Sequence, residues 1–301
     1  MHDGPSRPWQ RATLRNGALE FEQPSGLFDA LNDGFFFVRQ PSGMSLTAGD
    51  RFANSFHLPQ DPAGSDPFRG FKRFTPDRIG DRQGYFCREA DQTEQFFLES
   101  RFWEGTFPGE LRTQAAAMRD YALDILAGVL PHLDLPRPLW DRATGHALSG
   151  RGTYHLTFNH FRPEVNARGL NVHKDSGWVT VLRSLEPGLE VRRGGRWEPI
   201  DPEPGWFIVN FGCAMEILTR DSATPVAAVA HRVRQQTSDR SDSSPDRFSY
   251  ALFVDSSLDE NLCPGLFRYA PGTGLVLAGK FATFLDEIVH STYEPDGVGL
   301  Y

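Results

Sequence analysis

Apolar residues recur at helical spacing in the first half of the chain. From Phe107 onward they fall three or four residues apart, which predicts a long helix. Pro131 ends this pattern, because proline lacks a backbone donor and clashes with the preceding turn. Earlier, residues 27–31 predict a short helix closed by Gly34, and residues 35–38 predict a buried strand after it.

Beyond residue 150 the apolar pattern changes to short strands separated by turn residues. The predicted strands are Tyr154–Phe158, Trp178–Leu182, Gly188–Val191, Trp206–Phe211 and Phe248–Val254. Strands at this spacing are typical of a sandwich or barrel. A final helical pattern covers Gly279–Tyr293. We therefore expect an α+β protein in which a helical first half and a C-terminal helix surround a β-barrel half.

Two segments show no regular spacing of apolar residues. Residues 41–95 are rich in Gly, Pro, Asp and Arg and predict loops with short helical pieces. Ser238–Asp246 is almost wholly polar and predicts a solvated loop. The first of these segments carries a basic cluster made of Arg69, Lys72, Arg73, Arg78, Arg82 and Arg88. Such a cluster is usually a solvated face, so it needs a second observation before it suggests a binding role.

Composition excludes several classes of protein. The chain has 301 residues, 39% of them hydrophobic, and a net charge of -8. This charge argues against nucleic-acid or anionic-membrane partners, which require a basic surface. The three cysteines (Cys87, Cys213 and Cys263) are odd in number and lack metal-site spacing. Residues 1–7 lack the apolar core of a signal peptide, and no apolar run approaches a membrane span. We expect a soluble cytoplasmic protein.

His173, Asp175 and His231 are the candidate metal ligands. Residues two apart on a strand project from the same face, so His173 and Asp175 can reach one ion together. Two histidines and a carboxylate leave one side of the ion open, as in non-haem Fe(II) sites for oxygen chemistry. Taken alone, the first pair is also compatible with a surface turn, and His231 with a core histidine.

Arg247 and Ser249 form a second pair with the same two-residue spacing. A guanidinium and a hydroxyl on one strand face can hold a carboxylate, although both residues are also compatible with a purely structural role. The remaining histidines have no partner at ligand spacing, which favours structural or solvated positions. Among them, His155 and His160 are near the predicted barrel and are candidate pocket residues.

Taken in order, several segments resemble one known family. They are Ala30–Val38, His173–Asp175 followed by 179–182, Gly188–Val191 with 195–197, Pro204–Gly212 with 215–216, His231–Val233, and Arg247–Ser249. They are similar to motifs of the isopenicillin N synthase-like 2-oxoglutarate/Fe(II)-dependent oxygenases. Each motif is weak alone, and their common order carries the resemblance.

The resemblance implies a fold, a chemistry and a division of the chain. The fold would be a double-stranded β-helix (jelly-roll) core at 151–265, between an N-terminal helical region at 1–150 and a C-terminal helix or lid at 266–301, all one structural unit. His173, Asp175 and His231 would bind Fe(II), and Arg247 with Ser249 would bind 2-oxoglutarate. With O2 the enzyme would hydroxylate, desaturate or cyclise a small molecule in bacterial specialised metabolism, releasing succinate and CO2.

Three departures from the family pattern leave alternatives open. Phe161 stands where plant members have a tyrosine that contacts the co-substrate, Cys213 replaces an aspartate, and the spacing from His231 to Arg247 is unusually long. An oxidase that acts without 2-oxoglutarate, or a non-catalytic metal-binding barrel, is therefore an alternative. Arg240 with Ser241 is a weaker candidate anchor, because no apolar strand follows it directly. In this family the basic cluster would border the substrate opening, where one arginine could bind a substrate carboxylate.

Overall fold

The computed structural model describes residues 8–237 and 246–293. Its helices are α1 (Gly26–Asp33), α2 (Thr47–Ala53), α3 (Pro76–Ile79), α4 (Trp103–Thr106), α5 (Gly109–Val129), α6 (Trp140–Ala143), α7 (Cys213–Thr219) and α8 (Phe281–Tyr293). Four short 3-10 turns cover Phe71–Arg73, Ser100–Phe102, Leu130–His132 and Arg137–Leu139. The predicted polar loop, together with Arg240 and Ser241, falls almost entirely outside the described residues.

The strands fall into three sheets. Those in the first half of the chain are β1 (Arg11–Arg15), β2 (Ala18–Phe21), β3 (Phe35–Arg39), β4 (Gly84–Cys87) and β5 (Thr93–Glu99). The next are β6 (Thr153–Phe161), β7 (Leu170–His173), β8 (Val179–Ser184), β9 (Leu189–Arg193), β10 (Arg196–Ile200) and β11 (Trp206–Phe211). The last are β12 (His231–Val233), β13 (Arg247–Asp255), β14 (Leu266–Ala270) and β15 (Gly274–Gly279).

Two facing sheets form the centre of the molecule. The larger has nine strands in the order β2-β1-β3-β11-β8-β13-β6-β5-β4, and the smaller has four in the order β10-β9-β12-β7. Apolar residues from both sheets, among them Leu182, Val191 and Val233, pack into one buried cluster. The predicted α+β jelly-roll fold is confirmed, as two open sheets packed face to face and not as a closed barrel.

The N-terminal region is less helical than predicted. Strands β1 to β5 all belong to the nine-stranded sheet, so residues 1–150 supply more than half of its strands. The expectation of loops at 41–95 missed β4 and the start of β5. In β5, Glu94 faces one side of the sheet, while Gln95 and Glu99 face the other. Polar residues on both faces hide the period of two by which a strand is recognised.

The back of the nine-stranded sheet, away from the small sheet, packs against α2 and α5. Helix α5 agrees with the predicted long helix, and its apolar residues at three- and four-residue steps are buried. Phe52 of α2 lies 4.5 Å from Phe158 and 5.6 Å from Phe96, between ring centroids. This aromatic core holds the sheet that supports the site described below.

Helix α8 agrees with the predicted C-terminal helix and packs against β7. It is preceded by the hairpin of β14 and β15, which the sequence patterns did not indicate. Within the described ranges, none of the helices is long and apolar enough to cross a membrane.

Candidate active site

The smaller sheet brings His173 and His231 together. β7 and β12 are antiparallel, and their register places His231 opposite His173, with ring centroids 4.2 Å apart. Asp175 follows β7, and its Oδ1 lies 3.8 Å from His173 Nε2 and 3.6 Å from His231 Nε2. All three side chains are buried, and one ligand atom from each lies within 4.8 Å of the others. The three predicted ligands therefore converge on one point.

Backbone carbonyls determine which nitrogen each histidine presents. His173 Nδ1 lies 2.9 Å from the carbonyl oxygen of Asn171, and His231 Nδ1 lies 3.1 Å from that of Val229. A carbonyl only accepts, so both Nδ1 atoms donate, and both Nε2 atoms face Asp175. Burial, together with the neighbouring His231, lowers the pKa of His173 to about 4. Two imidazoles whose Nε2 atoms face a carboxylate are a donor set that fits a divalent metal ion.

The segment that begins α7 fixes Asp175. The backbone N–H of Cys213 donates to the carbonyl oxygen of Asp175 at 2.8 Å, and Asn210 Nδ2 donates to its carboxylate at 3.4 Å. A Cβ on Gly212 would lie 2.3 Å from the carbonyl oxygen of Gly177, so only glycine allows this approach. The backbone of Cys213 thus supports the ligand, which the sequence comparison could not indicate.

Glu216 of α7 links the segments that carry the two histidines. Its carboxylate pairs with Lys174 Nζ at 3.0 Å and accepts a hydrogen bond of 2.8 Å from the N–H of Ala228. Lys174 lies between His173 and Asp175, and Ala228 lies three residues before His231. Glu216 therefore connects the segment that carries His173 and Asp175 to the segment that leads to His231.

Arg247 lies on the larger sheet with its guanidinium fully buried. Its Nε donates to the carbonyl oxygen of Pro187 at 3.0 Å, and its Nη2 and Nη1 donate to Ser184 Oγ at 3.0 Å and Ser249 Oγ at 3.3 Å. Burial lowers its pKa to about 10. The charge of Glu186 acts on it, but no acidic side chain among the described residues forms a salt bridge with it, so a carboxylate ligand could pair with this buried cation directly.

Phe161 lies under the Arg247 guanidinium. The two residues are paired across β6 and β13, and the guanidinium carbon is 4.7 Å from the ring centroid. Phe161 has no hydroxyl with which to make the contact expected of a tyrosine, but its ring face stabilises the charge of the Arg247 guanidinium through a cation–π contact. The predicted loss of the hydroxyl contact therefore leaves Arg247 with a supporting ring.

One cavity joins both groups of residues. It has a volume of about 670 Å³ and is lined by the three metal-ligand candidates from one sheet and by Arg247 and Ser249 from the other. His155, which the sequence indicated as a pocket residue, also lines it and lies 3.4 Å from Asp255. His160 does not line it, because alternation along β6 directs His160 to the opposite face. Sequence reasoning missed Ser184, which precedes a turn and has no motif of its own.

Comparisons with known proteins agree with this geometry. The sequence profile of the 2OG-Fe(II) oxygenase superfamily matches residues 153–256. The match covers the part of the chain that carries the His-Asp-His cluster and Arg247. The description of that superfamily agrees with the Fe(II)- and 2-oxoglutarate (2OG)-dependent chemistry that the sequence resemblance implies.

Curated relatives match the chain in part. It is 34% identical over 129 residues to codeine O-demethylase of Papaver somniferum, covering 42% of this chain and 33% of the relative. It is 28% identical over 164 residues to oxoglutarate-dependent flavonoid 7-O-demethylase 1 of Ocimum basilicum, covering 52% and 40%. The chain therefore spans well under half the length of these relatives.

Solved structures match over more of the chain. A rice dioxygenase for auxin oxidation (DAO) superposes with a TM-score of 0.66 at 21% identity, covering 97% of this chain and 99% of that one. JOX2 in complex with 2OG, Fe and JA superposes with a TM-score of 0.53 at 21% identity, covering 77% and 71%. At these identities the likeness establishes the fold.

Proposed function

We propose that this chain is an Fe(II)- and 2OG-dependent oxygenase that oxidises a small molecule with a large apolar part. One observation carries the proposal: a single cavity joins a His-Asp-His cluster to a buried arginine that forms no salt bridge within the described residues. A metal-binding barrel without catalysis would gain nothing from that arginine, because burying a cation is costly.

In this proposal His173, Asp175 and His231 are the metal ligands. The two Nε2 atoms and the Asp175 carboxylate contribute three donors and leave the cavity side of the ion accessible. When bound, Fe(II) and 2OG supply the oxidising chemistry, in which O2 is reduced while 2OG becomes succinate and CO2. The protein's own contribution is to hold the ligands in place through the backbone of Asn171, Val229 and Cys213.

Arg247 would pair with the carboxylate of 2OG that is remote from the metal. Ser184, Ser249 and the carbonyl of Pro187 fix the guanidinium in one orientation before the ligand arrives. Because the site is buried, a charge-assisted pair there contributes far more to binding than an exposed ion pair.

The outer part of the cavity would hold the main substrate. Phe86, Phe97, Leu258 and Leu285 give it apolar walls. Of the basic cluster at 69–88, only Arg82 and Arg88 line the cavity. Arg82 pairs with Asp286 of α8 at 3.3 Å, and Arg88 donates to Gln95. We therefore propose that one of these two arginines binds a carboxylate of the substrate; Arg82→Glu and Arg88→Glu should raise the substrate KM at one position only.

The decisive experiment measures succinate formed per substrate consumed. The proposal expects a ratio near one, and a metal-to-ligand charge-transfer band when Fe(II) and 2OG are added without oxygen. Full substrate turnover with no succinate would overturn it in favour of the oxidase alternative, for which Phe161 is the supporting residue. Neither turnover nor a charge-transfer band would favour the non-catalytic barrel.

The finer expectations stay predictions of the sequence. They are hydroxylation, desaturation or cyclisation as the outcome, bacterial specialised metabolism as the setting, and the cytoplasm as the location. A screen of amino acids, peptides and aromatic metabolites for stimulated succinate release would identify the substrate class.

A further inference from the structure

A second cluster of two histidines and a carboxylate lies on the back of the nine-stranded sheet. Glu94 of β5 and His160 of β6 are register partners, and His57 follows α2. One ligand atom from each of these residues lies within 4.8 Å of the others. Glu94 and His160 are almost fully buried, with 2% and 4% exposure. None of the three lines the cavity, so this cluster is separate from the site described above.

Each ring nitrogen of His160 faces a carboxylate. Nδ1 lies 2.7 Å from Glu94 Oε1, and Nε2 lies 2.8 Å from Asp246 Oδ2. Metal-ligating histidines commonly donate their second ring N–H to a carboxylate, which orients the ring and raises its basicity. Asp246 stands in that position relative to Nε2, which leaves Nδ1 to act as a metal ligand beside Glu94.

The other oxygen of Glu94 is already occupied. Oε2 accepts hydrogen bonds from Lys72 Nζ at 2.8 Å and from the hydroxyl of Tyr85. With Oε2 held in this way, Oε1 of Glu94 is left to face His160.

His57 supplies the third donor. Its ring lies 4.0 Å from that of His160, and its buried Nδ1 has no hydrogen-bond partner in the described part of the chain. Hydrogen bonds from Gly70 to Leu58 (2.9 Å) and from Phe71 to Phe56 (3.1 Å) hold the backbone on either side of it. A buried nitrogen lone pair without a partner is costly unless something binds there.

We propose that His57, Glu94 and His160 bind a divalent transition metal of the Zn²⁺ type. Two imidazole nitrogens and one carboxylate oxygen are a common zinc donor set, and a water molecule would complete four-coordination. Binding replaces the proton shared between His160 Nδ1 and Glu94 Oε1, and this proton is released to solvent. No redox change is involved.

The bound metal would connect parts of the chain that are distant in sequence. It would join the turn after α2 to β5 and β6 and, through Asp246, to the start of β13. His160 is the neighbour of Phe161, and Asp246 is the neighbour of Arg247, so the metal would brace the sheet directly behind the arginine. We assign it a structural role there.

The test is a count of bound Zn²⁺ in the full chain after chelator treatment, reloading and gel filtration. The wild-type protein should retain two equivalents, because the His173–Asp175–His231 site also accepts Zn²⁺. His231→Ala should retain one, His57→Ala should retain one, and the double variant none. His132→Ala, at an exposed histidine, is the matched control and should retain two.

A second measurement distinguishes loss of the metal site from misfolding of the variant. Glu94→Gln keeps a similar shape but loses the charge, and it should lose the same single equivalent in a protein with unchanged circular dichroism. In the His231→Ala background, Co²⁺ should give visible absorption that disappears with Glu94→Gln. The proposal is overturned if His231→Ala binds no Zn²⁺, or if its Zn²⁺ survives both His57→Ala and Glu94→Gln; the cluster is then an ion-pair network.

The outcome also separates this proposal from the proposed function. If the wild-type protein binds a single Zn²⁺ that is lost in His57→Ala and kept in His231→Ala, the second site is established and the cavity site fails. The reverse pattern supports the cavity site and removes the second one.

Discussion

The cavity and the back of the nine-stranded sheet each hold two histidines and one carboxylate, but the hydrogen-bond partners of the histidines differ between the two clusters. In the cavity, backbone carbonyls accept from Nδ1 of both His173 and His231, and the Nε2 atoms face Asp175. On the back, His160 has a carboxylate at each nitrogen, and the buried Nδ1 of His57 has no hydrogen-bond partner among the described residues. Ligand types and distances are similar, so the hydrogen bonds to the ligands make the difference.

That difference indicates different uses. A histidine held by a neutral carbonyl is a weaker base than one held by a carboxylate, and the cavity cluster opens onto a space where ligands can exchange. The back cluster lies against the ring of Phe248, which stacks on His160, and Asp246 faces Nε2 of His160. We therefore associate the first with an exchanging, catalytic ion and the second with a retained, structural ion.

Alternation along β6 and β13 makes the comparison testable with matched variants. Phe161 and Arg247 face the cavity, while their neighbours His160 and Phe248 face the back. Substitutions one residue apart in sequence thus probe opposite sides of the same sheet.

The largest expected effect comes from removing a cavity ligand. His231→Ala should reduce kcat/KM by more than about 100-fold, since even loss of a residue that only supports a ligand typically costs 10- to 100-fold. Succinate release in the presence of Fe(II) measures it. His132→Ala, an exposed histidine, should leave turnover unchanged. Near-normal turnover of His231→Ala would remove the cavity cluster from the mechanism.

The next largest effect is expected at the buried arginine. Arg247→Lys loses the fork that meets a carboxylate in two places, and truncating one side of a buried charged pair costs about 2–5 kcal/mol. The KM for 2OG should therefore rise by about 30-fold or more.

The matched control for this change is Arg183→Lys. Arg183 precedes Ser184 on β8 but pairs with Asp50 on the back of the sheet at 3.1 Å. Its substitution should lower the melting temperature and leave the KM for 2OG unaltered. If Arg247→Lys instead raises the KM of the main substrate alone, Arg247 binds the substrate and the oxidase alternative gains support.

Much of the fold could be predicted because its elements have strong periods. The apolar steps of α5 and the alternating residues of β6, β11 and β13 correspond to elements of the structure. β5 was missed because polar residues lie on both of its faces: its cavity face carries Gln95 and Glu99, and its back face carries Glu94. Its pairing with β6 depends on contacts between residues far apart in sequence, which a local pattern cannot indicate.

Part of the candidate site could also be predicted from residue spacing. His173 with Asp175 and Arg247 with Ser249 are two-residue pairs on one strand face, and the structure brings both pairs to one cavity. The His57–Glu94–His160 cluster was not predicted, since its members come from three separate elements and have no ligand spacing along the chain. The carbonyls that orient His173 and His231 are backbone groups, to which side-chain identity gives no clue.

Both clusters contain a histidine whose pKa is lowered to about 4, namely His173 and His57. The unfolded chain binds a proton at each near pH 6.5, so the metal-free folded state loses stability as pH falls from about 6.5 toward 4. Urea unfolding of chelator-treated protein at pH 7, 6 and 5 should give a falling free energy. His57→Asn should make this dependence shallower, and a flat profile would contradict the neutral state of both rings.

The smallest effect distinguishes the two faces of β6 and β13 through one ring each. Phe161→Leu removes the ring that lies 4.7 Å from the Arg247 guanidinium carbon, a contact that contributes about 0.5–2 kcal/mol. The KM for 2OG should rise by about 2- to 30-fold with little change in bound Zn²⁺. Phe248→Leu makes the same chemical change on the back, where the ring stacks on His160 at 4.8 Å. It should weaken Zn²⁺ retention and leave the KM for 2OG unchanged; equal effects of the two variants on both measurements would mean that the two faces are not independent.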